Sequence, residues 1–346
     1  MYRYSLYLTL WVSSLLFSQD PFEEALANPI PASTKQLRIP FSDRLNNQTD
    51  LPLAFFHGIE SGPVFTILAG VHGFEYPPIV AVQQIMQEID PKKLKGTLVV
   101  IPIANKGSFY TRTPFLNPLD KKNLNGVFPG KKDGTVTEKI AAFISTQIIP
   151  ISDVFLDIHG GDASEDLLPF VCYYENPKYP KQTQKTKALS EASGFENVVS
   201  YAFTLEDDEP AKYAFKQACQ KGKIALSFES GKLGNVHPEA VERIKNGVYR
   251  IMEQLKMYKT ATTFPKLPIK RSHNQHYLDA AVQGLFYSAL NAGDPVTKGQ
   301  IVGYITDEFG TSLQELKAPI SGFILYKVST PPVNIDDTLM CISQYL

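Results

Sequence analysis

Cysteine and tryptophan are scarce in this chain, with three of the former and one of the latter in 346 residues. Cys172, Cys219 and Cys341 share no CxxC spacing, which excludes a thiolate zinc site and allows at most one disulfide, so at least one thiol stays unpaired. An excess of charge is also missing. Thirty-four Lys and Arg face 35 Asp and Glu, a net charge of -1, and this balance lacks the electrostatic footprint of a nucleic-acid binder. The N-terminal apolar run, Ser5 to Phe17, holds 13 residues after Arg3, too few for a membrane span of about 20. It fits a secretory signal peptide, with Ala25-Leu26-Ala27 offering small residues for cleavage. Residues 1–27 are therefore read as signal and leader. The expectation is export to the periplasm or beyond, with an uncleaved anchor as the alternative.

What is present suits a compact fold with many ordered loops: 43 % hydrophobic residues, 21 Phe, 17 Tyr and 25 Pro. At roughly 150 residues per domain the length predicts about two domains. After a Pro-punctuated lead, VFTILAGVHG (64–73) reads as a buried strand and PIVAVQQIMQEID (78–90) as a helix with Pro near its start. Strand 96–105, helix 135–148 and strand 153–161 follow, and the alternation continues through strand 223–231 and helix 237–255. Strand, helix and strand in succession imply right-handed crossovers, hence an α/β fold whose mostly parallel, mixed sheet carries helices on both faces. Near Lys259 the character changes. TATTFPKLPIKRSHNQ has no period, and short strands divided by turns follow, so 28–258 is assigned to one α/β domain and 259–346 to a linker and a small all-β domain.

In open α/β sheets reactive groups collect at the carboxyl ends of the strands, where the loops share one crevice. Three predicted strand ends carry such groups: His72 with Glu75, His159, and Glu229. A His and a Glu three residues apart can aim at one ion while a second His arrives from a neighbouring strand. Two imidazoles and one carboxylate leave a fourth position for water, the ligand set of a catalytic zinc, although His2Glu also accepts cobalt or manganese. Glu229 then suits a base that deprotonates that water and returns the proton to the leaving group. Asp157, two residues before His159, is a candidate to orient that ligand or a structural residue. His57, His237, His273 and His276 lack any partner pattern, and Asp162 and Asp166 read as loop-turning residues.

GVHGFEYPP, NKGSFYTRTPFLNPLDKKNLNGVFPG, LDIHGGD and SFESG, in that order, resemble the succinylglutamate desuccinylase and aspartoacylase family of carboxypeptidase-like zinc hydrolases. The resemblance implies one zinc per chain on His72, Glu75 and His159, with Glu229 as general acid and base. It places Arg112 where family members polarise the scissile carbonyl and bind substrate, and Asn125 in the Asn-Arg pair that holds a substrate carboxylate. The second member of that pair is missing, because Gly126 stands where Arg is expected, and a backbone N–H is no substitute for a guanidinium fork. Lys121 or Lys122 is the candidate replacement charge. The implied activity is zinc-dependent deacylation, the cleavage of an amide or ester bond in a small acylated molecule. The alternatives are an exported short-peptide carboxypeptidase and a non-catalytic, metal-containing ligand-binding module.

The C-terminal stretch GDPVTKGQIVGYI followed by APISGFI resembles the barrel-sandwich of biotinyl and lipoyl carriers. The segment between the halves, TDEFGTSLQE, has no lysine, so no covalent biotin or lipoyl group is expected. In the hydrolases it resembles, a domain of this kind narrows the active site toward small substrates.

Overall fold

The computed structural model describes residues 21–265 and 267–346. The signal-peptide run lies outside them. The rest of the segment read as leader is helix α1 (Pro21–Ala27), whose Phe22 packs its ring on Phe55 and Phe143. Two strands that the sequence pattern does not announce come next, β1 (Ser33–Ser42) and β2 (Gln48–His57), an antiparallel hairpin at the sheet edge. Each contains a proline, and β1 is half exposed: only Leu37, Ile39 and Phe41 alternate toward the core, between exposed Gln36, Arg38, Pro40 and Ser42.

The α/β core then unfolds much as the alternation predicts. It comprises β3 (Glu60–Ala69), α2 (Tyr76–Glu88), β4 (Lys95–Ile101), α3 (Lys106–Thr111), α4 (Val136–Phe143), α5 (Ile149–Ile151) and β5 (Val154–His159). It continues with β6 (Glu165–Leu167), β7 (Phe170–Glu175), α6 (Pro180–Ala192), β8 (Asn197–Ala202), α7 (Ala214–Gln220), β9 (Ile224–Glu229) and α8 (Pro238–Gln254). Strands β4, β3, β5 and β9 are mutually parallel neighbours, while β7 runs antiparallel to β9 and resumes a parallel run with β8. The centre is therefore parallel and the whole sheet mixed.

Strand alternation assigns the two faces. Leu68, Val99, Ile101 and Phe155 pack with α1, α4 and α7, whereas Ile67, Ala69, Val100 and Leu156 pack with α2, α6 and α8. Central strands are covered on both sides, which is why β5 is buried from end to end, Asp157 and His159 included.

The C-terminal part adds β10 (Lys270–Asp279), β11 (Gly284–Tyr287), β12 (Pro295–Val296), β13 (Ile301–Thr306), β14 (Ser312–Lys317), β15 (Gly322–Val328), β16 (Pro332–Val333) and β17 (Thr338–Tyr345). It has its own core around Phe286, Ile305, Ile324 and Leu339, and β14-β13-β11-β16 form a separate small sheet. The main-chain ladder nevertheless crosses the change of character at Lys259. Lys270, Arg271 and Ser272 of β10 pair parallel with β8, and β17, β15 and β12 extend the same sheet to 13 strands. This strand was hidden because Ser272 is the one fully buried residue of KRSHNQHYLD, and its burial follows no alternation. No helix among the described residues is long and apolar enough to cross a membrane. All three cysteines are free and buried.

Candidate metal centre and cavity

Parallel β3, β5 and β9 end at the same level, and the turns that follow carry the site. Backbone pairing sets His159 beside Glu229 at the carboxyl ends of β5 and β9. His72 and Glu75 follow β3 on a turn that leads into α2, whose Pro77 and Pro78 lie in the first turn, where the N–H groups need no partner. Close backbone approach forces two glycines here. A Cβ on Gly73 would lie 2.3 Å from the Thr113 carbonyl, and one on Gly160 would lie 2.5 Å from the Ser230 carbonyl.

His72, Glu75 and His159 offer one ligand atom each, all within 4.8 Å of one another, and all three are buried. His72 Nδ1 lies 2.5 Å from Glu75 Oε1, and His159 Nδ1 lies 3.0 Å from Glu75 Oε2. Both imidazoles therefore turn the same ring nitrogen inward. Behind them, His159 Nε2 is 3.1 Å from Asp157 Oδ1, on a fully buried carboxylate. With a metal on Nδ1, a carboxylate there would keep the remaining ring proton on Nε2. Burial alone would raise the Glu75 pKa, but His72 and His159 hold it down at about 2. An anionic carboxylate between two inward imidazole nitrogens fits a divalent cation, and its borderline-soft N and O donors suit zinc.

The cluster opens on a cavity of about 520 Å3, the size of a small-molecule pocket. Glu229 lines it, and burial pushes its carboxyl up to about 8, against the pull of His159 and with help from Glu75 and Asp157. Asn125 also lines it, its Oδ1 buried without a partner among the described residues. Arg112 is not among the lining residues. It caps α3 in a left-handed conformation with its side chain exposed. Neither candidate replacement lysine lines the cavity either: Lys122 is 2.7 Å from Glu138 Oε1, and Lys121 is exposed.

Several lining groups carry no sequence signal. Glu165 sits in the three-residue β6, and Tyr201, Tyr277 and Tyr326 come from strands far apart in the chain. Burial beside Glu229, Asp162 and Glu75 holds the Glu165 carboxyl well above the usual carboxylate range. Asp162 does turn the loop, accepting the Ser164 N–H at 2.6 Å and its hydroxyl at 2.8 Å. Asp166 instead pairs with Lys232 at 3.0 Å and accepts the Ala292 N–H. His57 is a core residue stacked on Phe55, and His237 precedes the first turn of α8.

A sheet with a parallel centre thus brings a His-Glu-His cluster and Glu229 into one crevice. Residues 61–255 match the family model of the succinylglutamate desuccinylase/aspartoacylase catalytic domain, and the chain belongs to that family of acyl-amide hydrolases. A curated relative, the N-alpha-acetyl-L-2,4-diaminobutyric acid deacetylase of Halomonas elongata, is 28 % identical over 289 residues, 82 % of either chain. Among solved structures, a succinylglutamate desuccinylase/aspartoacylase from Rhodobacter sphaeroides superposes with a TM-score of 0.79 at 22 % identity, covering 90 % of this chain and 95 % of that one. The product-bound ectoine utilization protein EutE (DoeB) from Ruegeria pomeroyi gives 0.79 at 22 %, covering 91 % and 98 %. Both share this chain's fold.

Proposed function

We propose that the protein is a zinc-dependent deacylase that hydrolyses the amide bond of a small N-acyl amine, with one zinc per chain on His72, Glu75 and His159. The observation that carries this reading is the convergence of both Nδ1 atoms on the two Glu75 oxygens, inside the cavity that Glu229 also lines. The family membership and the deacetylase relative support the amide and the acyl group.

When bound, the zinc supplies Lewis acidity toward the carbonyl and acidifies water. The chain's residues do the rest. His72 and His159 would present ring nitrogens to the ion, with Asp157 orienting the His159 ring. Glu229 takes a proton from the attacking water and delivers it to the departing amine nitrogen, so the acid and the amine leave as separate products. A carboxyl held near 8 can both accept and return a proton close to neutral pH. Asn125 has an unpaired buried oxygen toward the same space and suits an N–H of the substrate.

Release of free carboxylate from N-acetyl amines by the zinc-loaded protein, abolished by a chelator and restored by zinc, is the expected result. Hydrolysis that is indifferent to chelation would contradict it.

Gly126 bears on which acyl-amide fits. A Cβ there meets only Asn123 Cβ, at 3.9 Å, so the position has room for a side chain. Gly126→Arg is expected to leave the melting temperature within a few degrees and to raise kcat/KM for N-acyl substrates bearing a second carboxylate by about tenfold or more. Competing N-acetylglutamate against N-acetylnorvaline in the variant checks it, and an unchanged ratio refutes it.

A further inference from the structure

We propose that the cavity selects acyl-amides whose amine half carries a positive charge, and that Glu165 is the residue that selects for it. This deepens the deacylase reading above and rests on it for the reaction.

Among the described residues the lining contains five acidic side chains, Glu75, Asp162, Glu165, Glu229 and Asp337, and neither lysine nor arginine. Four of the five have a stated use. Glu75 lies between the two histidines, Asp162 accepts from Ser164, Asp337 accepts the Asn334 N–H at 2.7 Å, and Glu229 serves the proton transfer. Glu165 has none. Among the described residues its carboxyl makes no hydrogen bond and no ion pair, and of its charged neighbours Glu229, Asp162 and Glu75 raise its pKa while His159 alone opposes them. A partly buried acid among other acids is costly unless a cation meets it.

The position is built, not incidental. Strand β6 is antiparallel to β15, opposing Glu165 to Val328 and Leu167 to Tyr326, and all four residues line the cavity. Asp166 between them faces away to Lys232, as period-two alternation requires. On its other side β6 is tied to the loop after β9, where the Leu233 N–H donates to the Glu165 carbonyl at 2.9 Å. The Glu165 backbone is thus fixed in the wall of the cavity that the metal cluster opens on.

The rest of the wall suits the same ligand. Tyrosine faces attract ammonium groups, and Lys216, outside the cavity, already lies 5.1 Å from the Tyr174 ring centroid and 5.9 Å from that of Tyr213. A carboxylate in place of the ammonium would meet uncompensated acids and no guanidinium, because Gly126 and the exposed Arg112 leave the cavity without one.

The test uses three zinc-loaded reactions that differ only at the side-chain end: Nα-acetylornithine, Nα-acetylnorvaline and Nα-acetylglutamate. Wild type is expected to favour the ornithine compound over the norvaline compound by about tenfold or more in kcat/KM, with the glutamate compound last. Glu165→Gln is expected to shrink the first ratio by about tenfold. A wild-type ratio near one, a preference for the glutamate compound, or a ratio untouched by Glu165→Gln would overturn the proposal. Calorimetric binding of free ornithine against norvaline to wild type reads the same preference without turnover and without the variant. If no compound is hydrolysed, the deacylase reading falls, while tighter binding of ornithine sustains the cation site and equal binding removes it.

Discussion

Glu229→Gln is expected to lower kcat by about 10²–10⁴-fold, the range for a lost general acid or base, while metal stoichiometry stays at the wild-type value. Gln keeps the size and one acceptor but cannot take a proton. The side chain is outside the His72, Glu75 and His159 set, so binding of the ion should survive the change. The pH profile separates this role from a structural one. Burial raises the Glu229 pKa to about 8, so the ionised, proton-accepting form grows as pH rises through that value, and the wild-type rate should climb on the same limb. A divalent cation beside it favours the ionised form and moves the limb to lower pH. Glu229→Gln should lose the limb altogether. Near-wild-type turnover in the variant would move the base to another group in the cavity.

Phe155→Ala is expected to destabilise the protein by about 3–5 kcal/mol, the cost of a cavity where a large aromatic core side chain is removed. Phe155 is fully buried on β5, between β3 and β9, and packs in the layer under α1, α4 and α7. Four residues later the same strand ends on His159, so loss of packing at Phe155 is transmitted along a rigid element to the metal cluster. Urea denaturation of the chelated protein measures the stability term, and zinc titration of the variant measures the effect on the site. A cost under about 1 kcal/mol would mean that the sheet centre repacks freely, contrary to the close packing of protein interiors.

The residues that were legible in the sequence are those tied to buried parallel strands. VFTILAG, DVFLDI and KIALSF are mostly apolar because both sheet faces are covered, with Thr66, Asp157 and Ser227 as buried polar exceptions, and the polar residues that follow each run fall on the site because the strands end there. His72, Glu75, His159 and Glu229 were therefore readable as a set. Strands with one solvated face were not: β1 and β10 are mostly polar, and β10 hides the ladder that fuses the C-terminal strands to the main sheet. Glu165 was illegible for a related reason. Its three-residue strand exists only because β15, some 160 residues later, pairs with it, and no local pattern encodes such a partner. Arg112 rested on resemblance alone, and the left-handed turn that ends α3 leaves it exposed and outside the cavity. Asn125 rested on the same resemblance, and the short turn from Leu124 to Gly126 does bring it to the cavity.

The central claim is that His72, Glu75 and His159 hold one catalytic zinc. Elemental analysis of the purified wild-type protein beside His72→Ala and His159→Ala addresses it most directly. The account predicts about one zinc per wild-type chain and a loss of most of it in both variants, because two remaining donors cannot complete the set of three protein ligands that catalytic zinc sites use. A wild-type protein that takes up no zinc after incubation, or variants that retain the full complement, would contradict it.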